Sequence, residues 1–166
     1  EIIQFKKCEI NHVKINNLKD HPGLIIDNNS NVTANELIIS NVSKTLLKCT
    51  NRSFLKLTNS NFSNSKSNAI HVSDQSCIDI FKSTFSDIKS SCIYIECSKC
   101  QIDSNDFKNI GKNGIEIEST ENFEIKDNKF EKIKNCAILI SEKSRGVIDK
   151  NIIFNTENVA FLAAIA

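Results

Sequence analysis

Pairs of apolar residues two places apart return along this chain at a fixed interval. Leu24/Ile26, Leu47/Cys49, Ile70/Val72, Ile93/Ile95, Ile115/Ile117 and Ile138/Ile140 begin at spacings of 23, 23, 23, 22 and 23 residues. A second column follows at Val32/Ala34, Leu55/Leu57, Ile78/Ile80, Cys100/Ile102, Phe123/Ile125 and Ile148. A third runs Leu37/Ile39, Ser60/Phe62, Ser83/Phe85, Asn105/Phe107, Asn128/Phe130 and Asn151/Ile153, and a lone apolar residue stands three places further on at Val42, Ile88, Ile110 and Ile133. The opening segment has the same short alternation (Cys8 and Ile10, Val13 and Ile15, then Leu18) before His21-Pro22-Gly23 breaks the chain at a turn.

Alternation over a few residues is a strand signal, and no segment holds a 3.6-residue period long enough for a helix. A strict period of 22–23 residues marks a stacked solenoid. Three short strands per period do not make a hairpin meander, and the period leaves no room for a crossover helix. Winding each length of chain onto the last places equivalent positions about 4.8 Å apart, the spacing of paired strands. Each coil is too thin to hold a core alone, and stacking makes one. The predicted architecture is all-β: a right-handed, single-stranded parallel β-helix of about seven coils, filling residues 1–166.

Alternation sends the columned residues inward and their neighbours outward. Phe62, Phe85, Phe107 and Phe130 then form a stack of rings, with Lys108 facing solvent beside them. Asn105, Asn128 and Asn151 form an inward amide ladder that Ser60 and Ser83 continue upstream. A buried amide is tolerable only when its hydrogen bonds are made, so this ladder is expected to be structural.

Charge adds little. Twenty-one basic and 20 acidic residues give a net charge of +1, with signs mixed along the chain. No broad field for nucleic acid or an anionic membrane is visible, and no basic stripe interleaves with aromatics. No apolar run approaches the roughly 20 residues that span a bilayer, so no membrane span is expected. The Asn, Lys and Ile bias points to an AT-rich genome, which concerns source and not activity. The start at Glu1-Ile2-Ile3 and the end at Phe161-Leu162-Ala163-Ala164-Ile165-Ala166 read as cuts through a longer protein. Both ends read as ordinary coils, so further coils or a protein partner are expected to cover them.

Segments such as Gly114-Ile115-Glu116-Ile117 through Ile125-Lys126-Asp127-Asn128-Lys129-Phe130 resemble the parallel β-helix repeats of the pectate-lyase-like superfamily. The resemblance spans nearly the whole chain and is one of repeat, not of catalytic motif. Members include polysaccharide lyases and hydrolases, NosD-like periplasmic proteins, and the β-helix modules of F-box and SHC-binding scaffold proteins. The Gly-His-Gly and Arg-Ile-Lys motifs of polygalacturonases are missing. Pectate lyases need acidic calcium ligands and an arginine base, whereas Arg52 and Arg145 are the only arginines and neither aligns with an acidic cluster.

Chemistry, if any, is expected on an exposed strand face. Lys48, His71, Tyr94, Glu116 and Leu139 point outward one per coil, and Asp27, Thr50, Ser73, Glu96, Glu118 and Ser141 run beside them. Tyr94, Glu96, Glu116 and Glu118 thus form a compact patch, with His71 one coil away. Close carboxylates commonly share a proton or a cation, so a glycan or calcium site with paired-carboxylate chemistry is one reading. A solvated sheet face is the simpler one.

Seven cysteines, at positions 8, 49, 77, 92, 97, 100 and 136, include one Cys97-Ser98-Lys99-Cys100 spacing with no second pair and no nearby histidine. Neither a zinc site nor any cofactor is expected from it. Cys92 takes the place held by Gly23, Ala69, Gly114 and Ala137, a small-residue position. An odd count favours thiols in a reducing, intracellular compartment. Five Asn-x-Ser/Thr sequons, at Asn28, Asn31, Asn41, Asn51 and Asn61, favour secretion instead if they are used.

The reading that fits best is a non-catalytic scaffold that binds a protein partner through its flat faces or ends. A carbohydrate-active β-helix using His71, Tyr94, Glu96, Glu116 and Glu118 is the alternative from another class. A surface or fibre protein is a third.

Overall fold

The computed structural model describes residues 7–96, 99–141 and 143–163. Three strands recur in each coil. Coil 1 holds β1 (Lys7–Asn11), β2 (Lys14–Leu18) and β3 (Leu24–Ile26), and coil 2 holds β4 (Asn31–Asn35), β5 (Ile38–Val42) and β6 (Leu47–Cys49). Coil 3 has β7 (Phe54–Thr58), β8 (Asn61–Ser65) and β9 (Ile70–Val72), and coil 4 has β10 (Cys77–Phe81), β11 (Thr84–Ile88) and β12 (Ile93–Ile95). Coil 5 has β13 (Lys99–Asp103), β14 (Asp106–Ile110) and β15 (Ile115–Glu118), and coil 6 has β16 (Asn122–Lys126), β17 (Lys129–Ile133) and β18 (Ile138–Ser141). Coil 7 ends the stack with β19 (Gly146–Asp149), β20 (Ile152–Phe154) and β21 (Phe161–Ala163).

Every third strand pairs, always in parallel, giving three seven-stranded sheets. Sheet A takes the first strand of each coil, sheet B the second and sheet C the third. The registers are those the period requires: Ile93 lies between Ile70 and Ile115, Ile80 between Leu57 and Ile102, and Phe107 between Phe85 and Phe130. The three inward columns form one continuous core down the axis. The phenylalanine rings stack with centroids 5.3, 5.0 and 4.7 Å apart and planes within 14° of parallel.

The asparagine ladder closes the corner between sheets A and B. The Asn105 backbone N–H donates to Asn128 Oδ1 at 2.9 Å, and the Asn128 N–H donates to Asn151 Oδ1 at 3.0 Å. Upstream, Ser83 N–H donates to Asn105 Oδ1, Ser60 N–H to Ser83 Oγ and Leu37 N–H to Ser60 Oγ. Each side chain therefore satisfies the backbone of the coil before it. A serine ladder does the same at the corner between sheets C and A, where Ser30 N–H reaches Ser53 Oγ and Ser53 N–H reaches Ser76 Oγ.

The abundance of asparagine has a conformational use. Besides Asn28, Asn29, Asn51, Arg52, Asp74, Gln75 and Ser119 at the turn from sheet C to sheet A, two columns of residues hold a left-handed backbone. One is at the turn from sheet A to sheet B (His12, Glu36, Asn59, Lys82, Ser104, Asp127, Lys150). The other lies inside each sheet B strand or just beyond it (Asn17, Asn41, Asn64, Asp87, Asn109, Lys132, Asn155). Asparagine and aspartate tolerate this region far better than branched residues do. In the second column the residue drops out of the pairing, as Asn64 does between Ser63 and Ser65. The strand bends there, and the residue after the bend points inward again. This accounts for the lone buried residue three places after each inward position.

Candidate functional site

The outer face of sheet C carries the predicted patch. Ile25, Lys48, His71, Tyr94, Glu116, Leu139 and Leu162 form one register column across all seven coils. Each stands outward because its neighbours, such as Ile93 and Ile95 around Tyr94, are drawn into the core. Glu118 is at the end of β15, paired with Ser141. Glu96 follows Ile95, whose partner is Ile117, so its register leads toward Glu118.

The sequence places these five residues together, and the structure gives them unequal roles. His71 and Tyr94 meet edge to face, with ring centroids 5.1 Å apart and planes at 85°. The Tyr94 hydroxyl donates to Glu118 Oε2 at 2.6 Å. Burial pushes the tyrosine hydroxyl up, and the Glu118 hydrogen bond together with the charges of Glu118, Glu96 and Glu116 pushes it further, so the phenol stays protonated. Burial lowers the His71 pKa, and the nearby Lys48 ammonium lowers it further, against the opposing pull of Glu96 and Asp74. The imidazole is therefore neutral at neutral pH.

Glu116 departs from the expected solvent-facing role. It stands on the outer side of the pleat yet keeps only 7% of its surface exposed. The corner between sheets B and C folds over it. Ser91 Oγ donates to its carboxylate, Asn113 Nδ2 donates at 2.9 Å, and Lys112 Nζ lies 3.3 Å away. Burial alone would raise its pKa, but these three partners together hold it below the usual value. Asn113 is itself fixed from the next coil, because its Oδ1 accepts from Asn135 Nδ2 at 2.8 Å, and Asn135 Oδ1 accepts from Asn158 Nδ2 at 3.1 Å. This carboxylate anchors a corner spanning four coils.

Glu96 is exposed. Among the described residues no three of His, Cys, Asp and Glu are grouped to hold a metal ion. Alternation along one strand could not reveal the supports of Glu116, because Ser91 comes from another coil. The local spacing of Lys112, Asn113 and Glu116 was the one available signal. Of the cysteines, Cys49, Cys92, Cys100 and Cys136 are buried, and Cys97 lies outside the described residues.

The molecule is thus a solenoid of parallel strands whose outer face carries a tied-down tyrosine–carboxylate pair. The family model for a right-handed β-helix region matches residues 68–164, more than half of the chain. The chain belongs to that family, and its coils are right-handed. Searches of curated proteins and of solved structures found no match. No helix is long and apolar enough to cross a membrane among the described residues.

Proposed function

We propose that this β-helix is a non-catalytic interaction module whose open ends receive further β-structure from a protein. One observation carries the reading. Every large apolar residue that stands exposed among the described ones lies in the first two coils or the last: Val13, Ile25 and Ile38 at one end, and Val147, Ile152, Val159, Phe161 and Leu162 at the other. Coils 3 to 6 have none. The end coils also present three edge strands each, and an uncovered edge recruits another strand. A parallel coil, from its own chain or a partner, meets both the hydrogen-bonding and the apolar demand.

Sedimentation velocity across a concentration series tests this. The 166-residue chain is expected to associate as concentration rises, and an Ile152→Lys/Phe161→Lys/Leu162→Lys variant to lose that association. A wild-type chain that stays monomeric throughout would refute the reading.

The Tyr94 and His71 rings support glycan binding as a second reading, since a partly exposed aromatic edge beside acceptors suits a sugar. The saturated hydrogen bonds of Glu116 and Tyr94 favour binding over acid–base turnover. A Glu96→Gln/Glu118→Gln variant should lose glycan retention while remaining folded. Unchanged retention would remove this assignment.

A further inference from the structure

We propose that the corner between sheets B and C is a docking ridge for the surface of an anionic lipid bilayer. The inward column Leu18, Val42, Ser65, Ile88, Ile110 and Ile133 is continuous in register. A lysine follows each member by one or two places: Lys19, Lys44, Lys66, Lys89, Lys112 and Lys134. All six are exposed. In sequence they are more than 20 residues apart, so no basic run is visible. Coiling gathers them at one corner over five steps of about 4.8 Å, a ridge about 24 Å long, with Lys19, Lys66, Lys89 and Lys134 at one register position and Lys44 and Lys112 one place further on. Neighbouring charges then lie within one Debye length and act as a single field.

Acidic residues do little to offset this line. Lys112 is engaged by Glu116, and among the described residues no salt bridge joins the other five. Asp20 adjoins Lys19 at one end, and Glu157 stands in the coil beyond Lys134 at the other. Asp87 flanks Lys89 and accepts from Asn109 Nδ2 at 3.1 Å. The remaining ridge positions are Ser43, Ser67, Ser90, Gly111 and Asn135. By contrast, the corner between sheets A and B mixes signs, with Glu36, Lys82, Asp127 and Lys150. Like charges gathered at one corner of successive coils repel one another, so the arrangement suits an external anion.

The form of the ridge selects the ligand. It is an open row along the stack, one lysine per coil, that offers its charges to a flat array of headgroups. All its charges are lysine, flexible and strongly hydrated, without the arginine fork that grips single phosphates. No aromatic stands in the line to stack a base. With these six removed from the count, 15 basic and 20 acidic residues leave the rest of the chain at −5. Such a rod turns one edge toward a negative plane and keeps its other faces away.

The test is co-sedimentation of the full chain with phosphatidylcholine vesicles, with and without phosphatidylserine. Binding is expected only with phosphatidylserine and should weaken as salt rises. A Lys44→Gln/Lys66→Gln/Lys89→Gln/Lys134→Gln variant is expected to bind about 10²- to 10³-fold more weakly, at about five-fold per lysine. A Lys14→Gln/Lys56→Gln/Lys82→Gln/Lys129→Gln variant has the same net charge and should retain most of the affinity. No binding to phosphatidylserine vesicles at low salt would overturn the proposal. So would equal loss in the two variants, or tighter binding to duplex DNA than to the vesicles.

Discussion

Asn128 shows how much one buried polar side chain does here. Its Oδ1 accepts from both the backbone N–H and Nδ2 of Asn105, at 2.9 and 3.0 Å. Its Nδ2 donates to the Ile102 carbonyl at 2.8 Å and to Asn151 Oδ1 at 3.0 Å. Asn128→Leu fits the volume but strands the Asn105 N–H and the Ile102 carbonyl inside the stack. At about 1–3 kcal/mol for each unsatisfied group, the loss should be about 2–6 kcal/mol in urea unfolding. Asn128→Ser should cost less, because Ser83 fills the same column and accepts the Ser60 N–H with its Oγ. A leucine variant as stable as wild type would mean that the ladder is ornamental. The sequence revealed this column because it repeats every 22 or 23 residues. It hid Ser65, where a serine replaces the usual apolar residue and donates to the Lys44 carbonyl at 2.9 Å.

Among the elements, the strands were legible and the corners were not. Strand identity follows from alternation and stacking from the period, and both are properties of neighbouring positions along one chain. The corners are built between coils, as when Ser91 and Glu116 meet across 25 residues. The outer column on β9, β12 and β15 was therefore placed correctly while the burial of Glu116 was not foreseen. That burial has a pH consequence. A carboxylate held below its usual pKa adds stability that is fully present above the unfolded value, about 4.3. The contribution is lost as pH falls through the lower folded value. Thermal melts of wild type and Glu116→Gln should therefore differ most at neutral pH and converge on acidification below about pH 4. A gap that stays constant down to strongly acid pH would show that the charge of Glu116 is not what the corner uses.

At the scale of the whole molecule, one stack explains features that look unrelated in the sequence. The continuous core needs its neighbours on both sides, so Phe161 in the last coil is exposed at the position where its partner Ile138 is buried. The same stacking turns six scattered lysines into a line on a chain of net charge +1. Both functional proposals stand on the register, and the central coils test it most directly. Phe107 is 1% exposed between the rings of Phe85 and Phe130, while Lys108 beside it faces solvent and pairs with Glu131 at 3.2 Å. Truncating the ring opens a cavity worth roughly 3–5 kcal/mol. Truncating the lysine removes an exposed ion pair worth no more than about 1 kcal/mol. The decisive measurement is the urea unfolding free energy of Phe107→Ala beside that of Lys108→Ala. The stacked register predicts a difference of at least about 2 kcal/mol between them, and equal losses would contradict it.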